Sequence, residues 1–178
     1  MQTRVLSLDI ASTTGWAFLN LMEDCNSDII IKYGVMKVRS KDKMVHKLFD
    51  LREKLKVLLE EFKPTHVVME DIYLGLNPKT LVMLAKLAGV VEECCLSYSG
   101  VEPYIIHTST VKSFYKLRTK KMLFDFIISI LEFPKGDFFF KQHNDVIDAI
   151  AQLLCYCDAI LGIRQFRYTT EYGFLYKV

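Results

Sequence analysis

Apolar and polar positions along the chain fall into two rhythms. Residues 4–10 form a short apolar run rich in β-formers, which predicts a first strand. Residues 14–21 predict a second strand, and Ser12-Thr13-Thr14-Gly15 is the turn between them, so the pair reads as a hairpin. The polar stretch Asp24 to Asp28 reads as another turn. Residues 29–38 make a third strand, with Gly34 inside it at a candidate bulge. The rhythm then changes. Met44, Leu48, Leu51, Leu55, Leu58 and Phe62 recur at spacings of three and four, the stripe of an amphipathic helix over residues 41–62. Charged residues fill the gaps and read as its solvated face, and Pro64 ends it.

Residues 65–69 are nearly all apolar, which fits a fourth strand buried on both faces and paired in parallel. It ends in Glu70 and Asp71. A loop over residues 73–78 leads into a second helix, residues 79–98, that is apolar on most sides. Such a helix is either central in the core or half of a subunit interface. A fifth strand spans residues 103–107, and Thr108 or Ser109 is a candidate cap for a short helix to Tyr115. Residues 116–121 are a basic connector. Two helices follow, over residues 120–131 and from His143 or Asn144 to residue 161. The order βββαβαβα(α)α predicts an α/β fold, a mixed five-stranded sheet of three antiparallel strands then parallel ones, flanked by helices. No repeat or linker divides residues 1–178, which are expected to form one domain with an aromatic and basic tail over residues 162–178.

Composition narrows the class. The 178 residues suffice for a sizeable core, and half of them are apolar, so the chain is globular rather than disordered. A net charge of +2 excludes a protein driven by global charge, though not a local basic face. Five cysteines, an odd number, favour free thiols in a reducing compartment. Cys94 and Cys95 read as core residues, and Cys155-x-Cys157 lacks the second pair that a zinc site needs. The start opens directly into a strand, so no secretory signal is expected, and no apolar run reaches the roughly 18 residues of a membrane span. A soluble, cytoplasmic protein without membrane partners is expected.

Candidate chemistry lies in the acids. Asp9 closes an apolar strand, and a lone carboxylate there is costly to bury without a cation. Glu70 closes another. Asp145 and Asp148 stand three apart near the start of an apolar helix and so share one of its faces. Two acids near a helix start are ordinary, and the helix N-terminus favours them. Asp9 and Glu70 change the picture, because strands one and four as neighbours would bring all four together. Clustered carboxylates repel and need cations, and an all-oxygen set suits Mg²⁺ or Mn²⁺. Two such ions about 3.5–4 Å apart support phosphodiester cleavage.

Leu6-Ser7-Leu8-Asp9 with Thr14-Gly15-Trp16, then Val68-Met69-Glu70-Asp71-Ile72-Tyr73, then Asn144-Asp145-Val146-Ile147-Asp148 stand in an order and spacing that resembles the RuvC family of Holliday junction resolvases. That family belongs to the ribonuclease H-like superfamily, and the chain looks most like its compact bacteriophage members. The resemblance implies a ribonuclease H-like fold and a homodimer that resolves four-way DNA junctions by paired nicks, with two Mg²⁺ ions per site, for which Mn²⁺ substitutes. It implies that Asp9, Glu70, Asp145 and Asp148 are the catalytic metal ligands. Lys112 and Lys120 or Lys121 are similar to the family's basic residues at the scissile phosphate, and Tyr73 to its aromatic that contacts unpaired bases. Ala11 replaces a frequent glycine, Asp71 adds a second carboxylate beside Glu70, and the tail has no counterpart.

Around these motifs, Lys112, Lys116, Arg118, Lys120 and Lys121 form a run without an acid, with Phe114 and Tyr115 interleaved, which fits phosphate contact beside an acidic cluster. His143 is a surface or capping residue by default and otherwise a general base or phosphate contact. Three other classes come into question. A ribonuclease on the same scaffold would show the same site. A silent branched-DNA binder would not need all four acids. The run Asp9-x-x-Ser12-Thr13-Thr14-Gly15 also resembles the phosphate hairpin of sugar and acetate kinases, but those need a second glycine-rich loop and about twice the length, so no nucleotide cofactor is expected.

Overall fold

The computed structural model describes residues 2–21, 29–38, 43–72, 77–131, 133, 140–163 and 168–172. Its strands are β1 (Thr3–Asp9), β2 (Thr13–Leu21), β3 (Ile29–Lys37), β4 (His66–Glu70), β5 (Tyr104–Ile106) and β6 (Tyr168–Tyr172). Its helices are α1 (Met44–Phe62), α2 (Pro78–Ser99), α3 (Thr108–Phe114), α4 (Lys120–Ile130) and α5 (Phe140–Ala159). They form one mixed sheet in the order β5-β4-β1-β2-β3-β6. The β1–β2–β3 meander is antiparallel, and β4 and β5 add to β1 in parallel. The five expected strands are all present. The tail, which the sequence left open, contributes a sixth, parallel to β3.

Period-two alternation sends neighbouring side chains to opposite faces of the sheet. Leu6, Leu8, Trp16, Phe18, Val67 and Met69 pack under α1 and α2. Val5, Ala17, Leu19 and Val68 pack under α4 and α5. Ser7 and Asp9, and Glu70 after Val68, therefore share the face that α5 covers. Helix ends follow their local chemistry. The Asn77 side chain accepts from Thr80 N at 3.0 Å with Pro78 next to it, and Gly100 closes α2 at φ 67°. Thr119 caps α4 by accepting from Met122 N at 3.1 Å. Cys94, Cys95, Cys155 and Cys157 are buried thiols in the two core layers, and burial pushes Cys95 and Cys157 up to about 12. No helix among the described residues is long and apolar enough to cross a membrane.

Three local expectations change. Gly34 is not at a bulge: the β2–β3 register runs unbroken and places it opposite Trp16. A Cβ there would stand 2.7 Å from the Trp16 ring, so the glycine makes room for the indole. Helix α5 begins at Phe140 rather than at His143 or Asn144. The Phe140 ring meets Phe124 of α4 edge-on at 5.4 Å, and that apolar contact carries the helix further back. Asp145 and Asp148 consequently lie in its second and third turns, where the helix N-terminus no longer explains them. Thr108 opens α3 but does not cap it; His107 holds the cap position without a side-chain bond.

Gly15 fixes how closely α5 lies on the sheet. A Cβ at this position would stand 2.1 Å from the carbonyl oxygen of Asp145. Gly15→Ala should force strand and helix apart and lower stability by about 1–3 kcal/mol, as overpacking of a tight core does. The midpoint of urea unfolding measures this, and an unshifted midpoint would refute the close seating of α5 on β2.

Candidate active site

The register brings the acids together. Leu8 of β1 pairs with Met69 of β4, so Asp9 and Glu70 emerge side by side at the C-terminal ends of two parallel strands. Sites in open α/β sheets are usually built at that end. On the other side Asp9 lies opposite Gly15, over which the Asp145 backbone passes. Asp148 follows one turn later on α5. A cleft of about 460 Å³ opens here, with Asp9, Glu70, Asp145, Thr108, Lys112 and Lys120 on its walls. A second cleft, about 590 Å³, lies at the opposite end of the sheet between Arg4, Lys63 and Tyr98 and has no such cluster of acids.

The acids are poorly solvated. Asp9 and Asp148 are each 6% exposed, and Glu70 and Asp145 are half-buried. Burial raises the Asp9 carboxyl well above its usual range, and a hydrogen bond to Glu70 and the charges of Glu70 and Asp148 push the same way against Lys120. Burial also raises Asp145 and Asp148, in each case against the pull of Lys120. The Lys120 ammonium donates to Asp148 Oδ2 at 2.9 Å. Burial works against its charge, but Asp148, Asp9 and Glu70 outweigh that and hold it protonated.

Each remaining acid has a defined partner. Thr108 donates to Glu70 Oε1 and Gln152 Nε2 to Oε2, the latter at 3.3 Å. Asn144 Nδ2 donates to Asp145 Oδ1 at 2.8 Å. Among the described residues no three of these side chains stand close enough, as placed, to hold one ion jointly. Their chemistry nevertheless fits a hard divalent cation: all four donors are oxygens, and buried like charges outnumber the ammonium among them.

The other expected site residues separate. Lys112, in the last turn of α3, reaches the cleft wall. Lys116, two residues past the end of that helix, is in the left-handed region at φ 57° and is exposed, as is Arg118. Lys121 pairs with Asp125 and lies 5.6 Å over the Phe124 ring. Adjacent helical residues diverge by about 100°, which is why Lys120 and Lys121 part. His143 is half-buried on α5, about 200° around the axis from Asp145, so it leaves the helix on another side. Asp71 pairs with His107 Nδ1 at 2.8 Å. Tyr73 lies outside the described residues. The sequence reading missed Thr108, Asn144, Ser7 and Gln152. A buried amide in an apolar helical stripe was the available signal for Gln152.

The raised carboxyls carry a sign. In the metal-free protein they bind protons more tightly folded than unfolded, so stability falls as pH rises from the ordinary carboxylate range to the raised values, and levels off above. Thermal melts in EDTA between about pH 4 and 8 should show this decline, and Asp9→Asn should flatten it and raise the midpoint at neutral pH. Identical pH profiles for the two proteins would contradict the burial cost assigned to Asp9.

The family model described as "Crossover junction endodeoxyribonuclease RuvC" matches residues 5–112. Curated proteins of that name align with the chain. The one from Dictyoglomus turgidum is 31% identical over 80% of this chain and 88% of its own, and the one from Finegoldia magna 26% over 94% and 98%. The Orientia tsutsugamushi proteins are 32% identical, but the chain spans only about half of their length, 48%. Among solved structures, Thermus thermophilus RuvC in complex with a Holliday junction substrate superposes with a TM-score of 0.69 at 17% identity, covering 90% of this chain and 97% of that one. The yeast mitochondrial Holliday junction resolvase gives 0.57 at 16% over 86% and 77%. At these identities the structures speak for the fold alone, but the family match covers most of the chain and includes Asp9 and Glu70: this chain belongs to the RuvC family.

Proposed function

We propose that the chain is a divalent-metal-dependent endonuclease that resolves four-way DNA junctions by paired symmetric nicks. The observation that carries this reading is that Asp9, Glu70 and Asp145 line one cleft with Lys112 and Lys120, and that Asp148 is joined to the same cleft through Lys120. The four carboxylates are the ligand set for two Mg²⁺ ions, with Mn²⁺ as substitute. Bound there, the ions supply an activated water and stabilise the leaving oxygen. The chain's own residues do the rest. Lys112 and Lys120 receive the phosphate that enters the cleft, and Lys120 gives up part of its hold on Asp148 to do so. Lys116 and Arg118, exposed on the connector, meet the flanking backbone. Tyr73 is retained as a base contact.

A four-way junction has two-fold symmetry, and a two-fold homodimer presents one site to each of two strands. Val45 and Phe49 of α1 and Val82 and Leu96 of α2 are exposed large apolar residues. Arg52 pairs with Glu93 and lies over Tyr98, as does Lys56, so the two helices run side by side in the same sense. The exposed apolar residues of these two neighbouring helices are the surface assigned to the second copy.

Cleavage of a labelled synthetic four-way junction with Mg²⁺, Mn²⁺ or EDTA, beside linear duplex and an RNA hairpin, tests the activity. Symmetric nicks in the junction alone, lost in EDTA, are expected; cutting of the RNA would favour a ribonuclease on the same scaffold. Asp145→Asn should lower cleavage more than about 100-fold, beyond the loss typical of outer-shell changes, with junction binding intact. Equal loss of both would remove Asp145 from the metal site. Phe49→Lys with Val82→Lys should convert a dimer to a folded monomer in sedimentation, and a dimer that persists would place the interface elsewhere.

A further inference from the structure

Glu70 is gripped from two sides by residues that have no part in the roles above. Thr108, the first residue of α3, donates to Oε1, and Gln152 donates to Oε2 at 3.3 Å. Gln152 lies one helical turn past Asp148 and is only 3% exposed, between the buried Ile150, Ala151, Leu153 and Leu154. A primary amide in such surroundings is costly unless both of its ends find partners. Both do. The Nε2 end meets Glu70, and Oε1 accepts from Ser7 Oγ at 3.4 Å. The orientation of the amide follows from its partners: the Ser7 hydroxyl donates to Oε1, which leaves the Nε2 nitrogen to donate to Glu70. Ser7 stands two residues before Asp9 on the same face of β1. A chain of polar contacts, Ser7 to Gln152 to Glu70 to Thr108, thus runs beneath the cleft and ties together β1, α5, β4 and α3.

A glutamate has three side-chain torsions to fix before it serves as a ligand, and donors that fix them beforehand lower the cost of binding. Residues that orient a ligand in this way commonly change metal affinity about 10–100-fold when removed. We infer that Gln152 and Thr108 are positioning residues that hold the Glu70 carboxylate in the orientation in which it takes up a divalent cation, with Ser7 setting Gln152. This rests on the metal-dependent reading of the cleft.

The test is Mn²⁺ binding without DNA, followed by the electron paramagnetic resonance of free Mn²⁺. Gln152→Leu and Thr108→Val, both close in shape to the originals, should each weaken Mn²⁺ binding about tenfold. Thr108→Ser, which keeps the hydroxyl, should bind as the wild type does. Thermal midpoints in EDTA identify any variant that fails to fold; if Gln152→Leu does, the Thr108 pair decides alone. Wild-type affinity in Thr108→Val, or in a folded Gln152→Leu, overturns the inference, and so does a wild type that binds no Mn²⁺. Junction cleavage by the wild type is scored in parallel. Bound Mn²⁺ with an uncut junction counts against the endonuclease reading and leaves the comparison of Mn²⁺ affinities to judge the positioning.

Discussion

Carboxylates confined to one end of a sheet repel one another, and much of this chain serves to keep them there. Asp9 and Asp148 are almost wholly removed from water. At a few ångströms and reduced dielectric, like charges interact by several kcal/mol. The Lys120 ammonium stands against Asp148 and offsets part of that repulsion, and burial beside Glu70 raises the Asp9 carboxyl well above its usual range. Without a divalent cation such an arrangement lowers the stability of the fold, as functional sites commonly do. The cluster survives because the structure around it has few alternatives.

Those constraints are backbone features first. Strand alternation puts Ser7, Asp9 and Glu70 on one face, and a parallel β1–β4 pair sets the latter two side by side. Gly15 then lets the Asp145 carbonyl pass where any side chain would collide. The contact between Phe140 and Phe124 anchors α5 upstream, and buried Val146, Ile147, Ile150 and Ala151 anchor it along its length. The carboxylates of Asp145 and Asp148 stand where the apolar residues between and beyond them force the helix to lie.

The same contrast explains what the sequence revealed. Alternation and helical spacing carried the five strands, the helices and the placing of Asp9 beside Glu70 on neighbouring parallel strands, because burial imposes those periods directly. Details decided by contacts between distant residues did not show. Gly34 read as a bulge because nothing local says that Trp16 will lie across it. The start of α5 was placed at a polar pair because polar residues cap helices, whereas the true start depends on Phe124, far away in sequence. Thr108 read as a cap because caps are the commonest use of threonine at a helix start, but its hydroxyl turns to Glu70 instead. The tail offered too short and mixed a pattern to announce a sixth strand, whose reason for existing is the open edge of β3.

A net charge of +2 says almost nothing about how this protein meets a polyanion. The basic run from Lys112 to Lys121 is one block in sequence but three environments in space. The end of α3 leaves Lys112 at the cleft, and the left-handed turn at Lys116 swings the connector outward. The start of α4 then returns Lys120 to the acids while sending Lys121 to Asp125. Two cations face inward beside four acids, two face solvent, and one is engaged by a neighbour on its own helix. Long-range attraction falls to the outer pair, which salt screens readily. In the proposed function the inner pair acts at contact distance, where screening is weak, and sets the orientation of the phosphate. Division of one basic block by two helix ends is therefore what, under the proposed function, separates attraction of the polyanion from its placement.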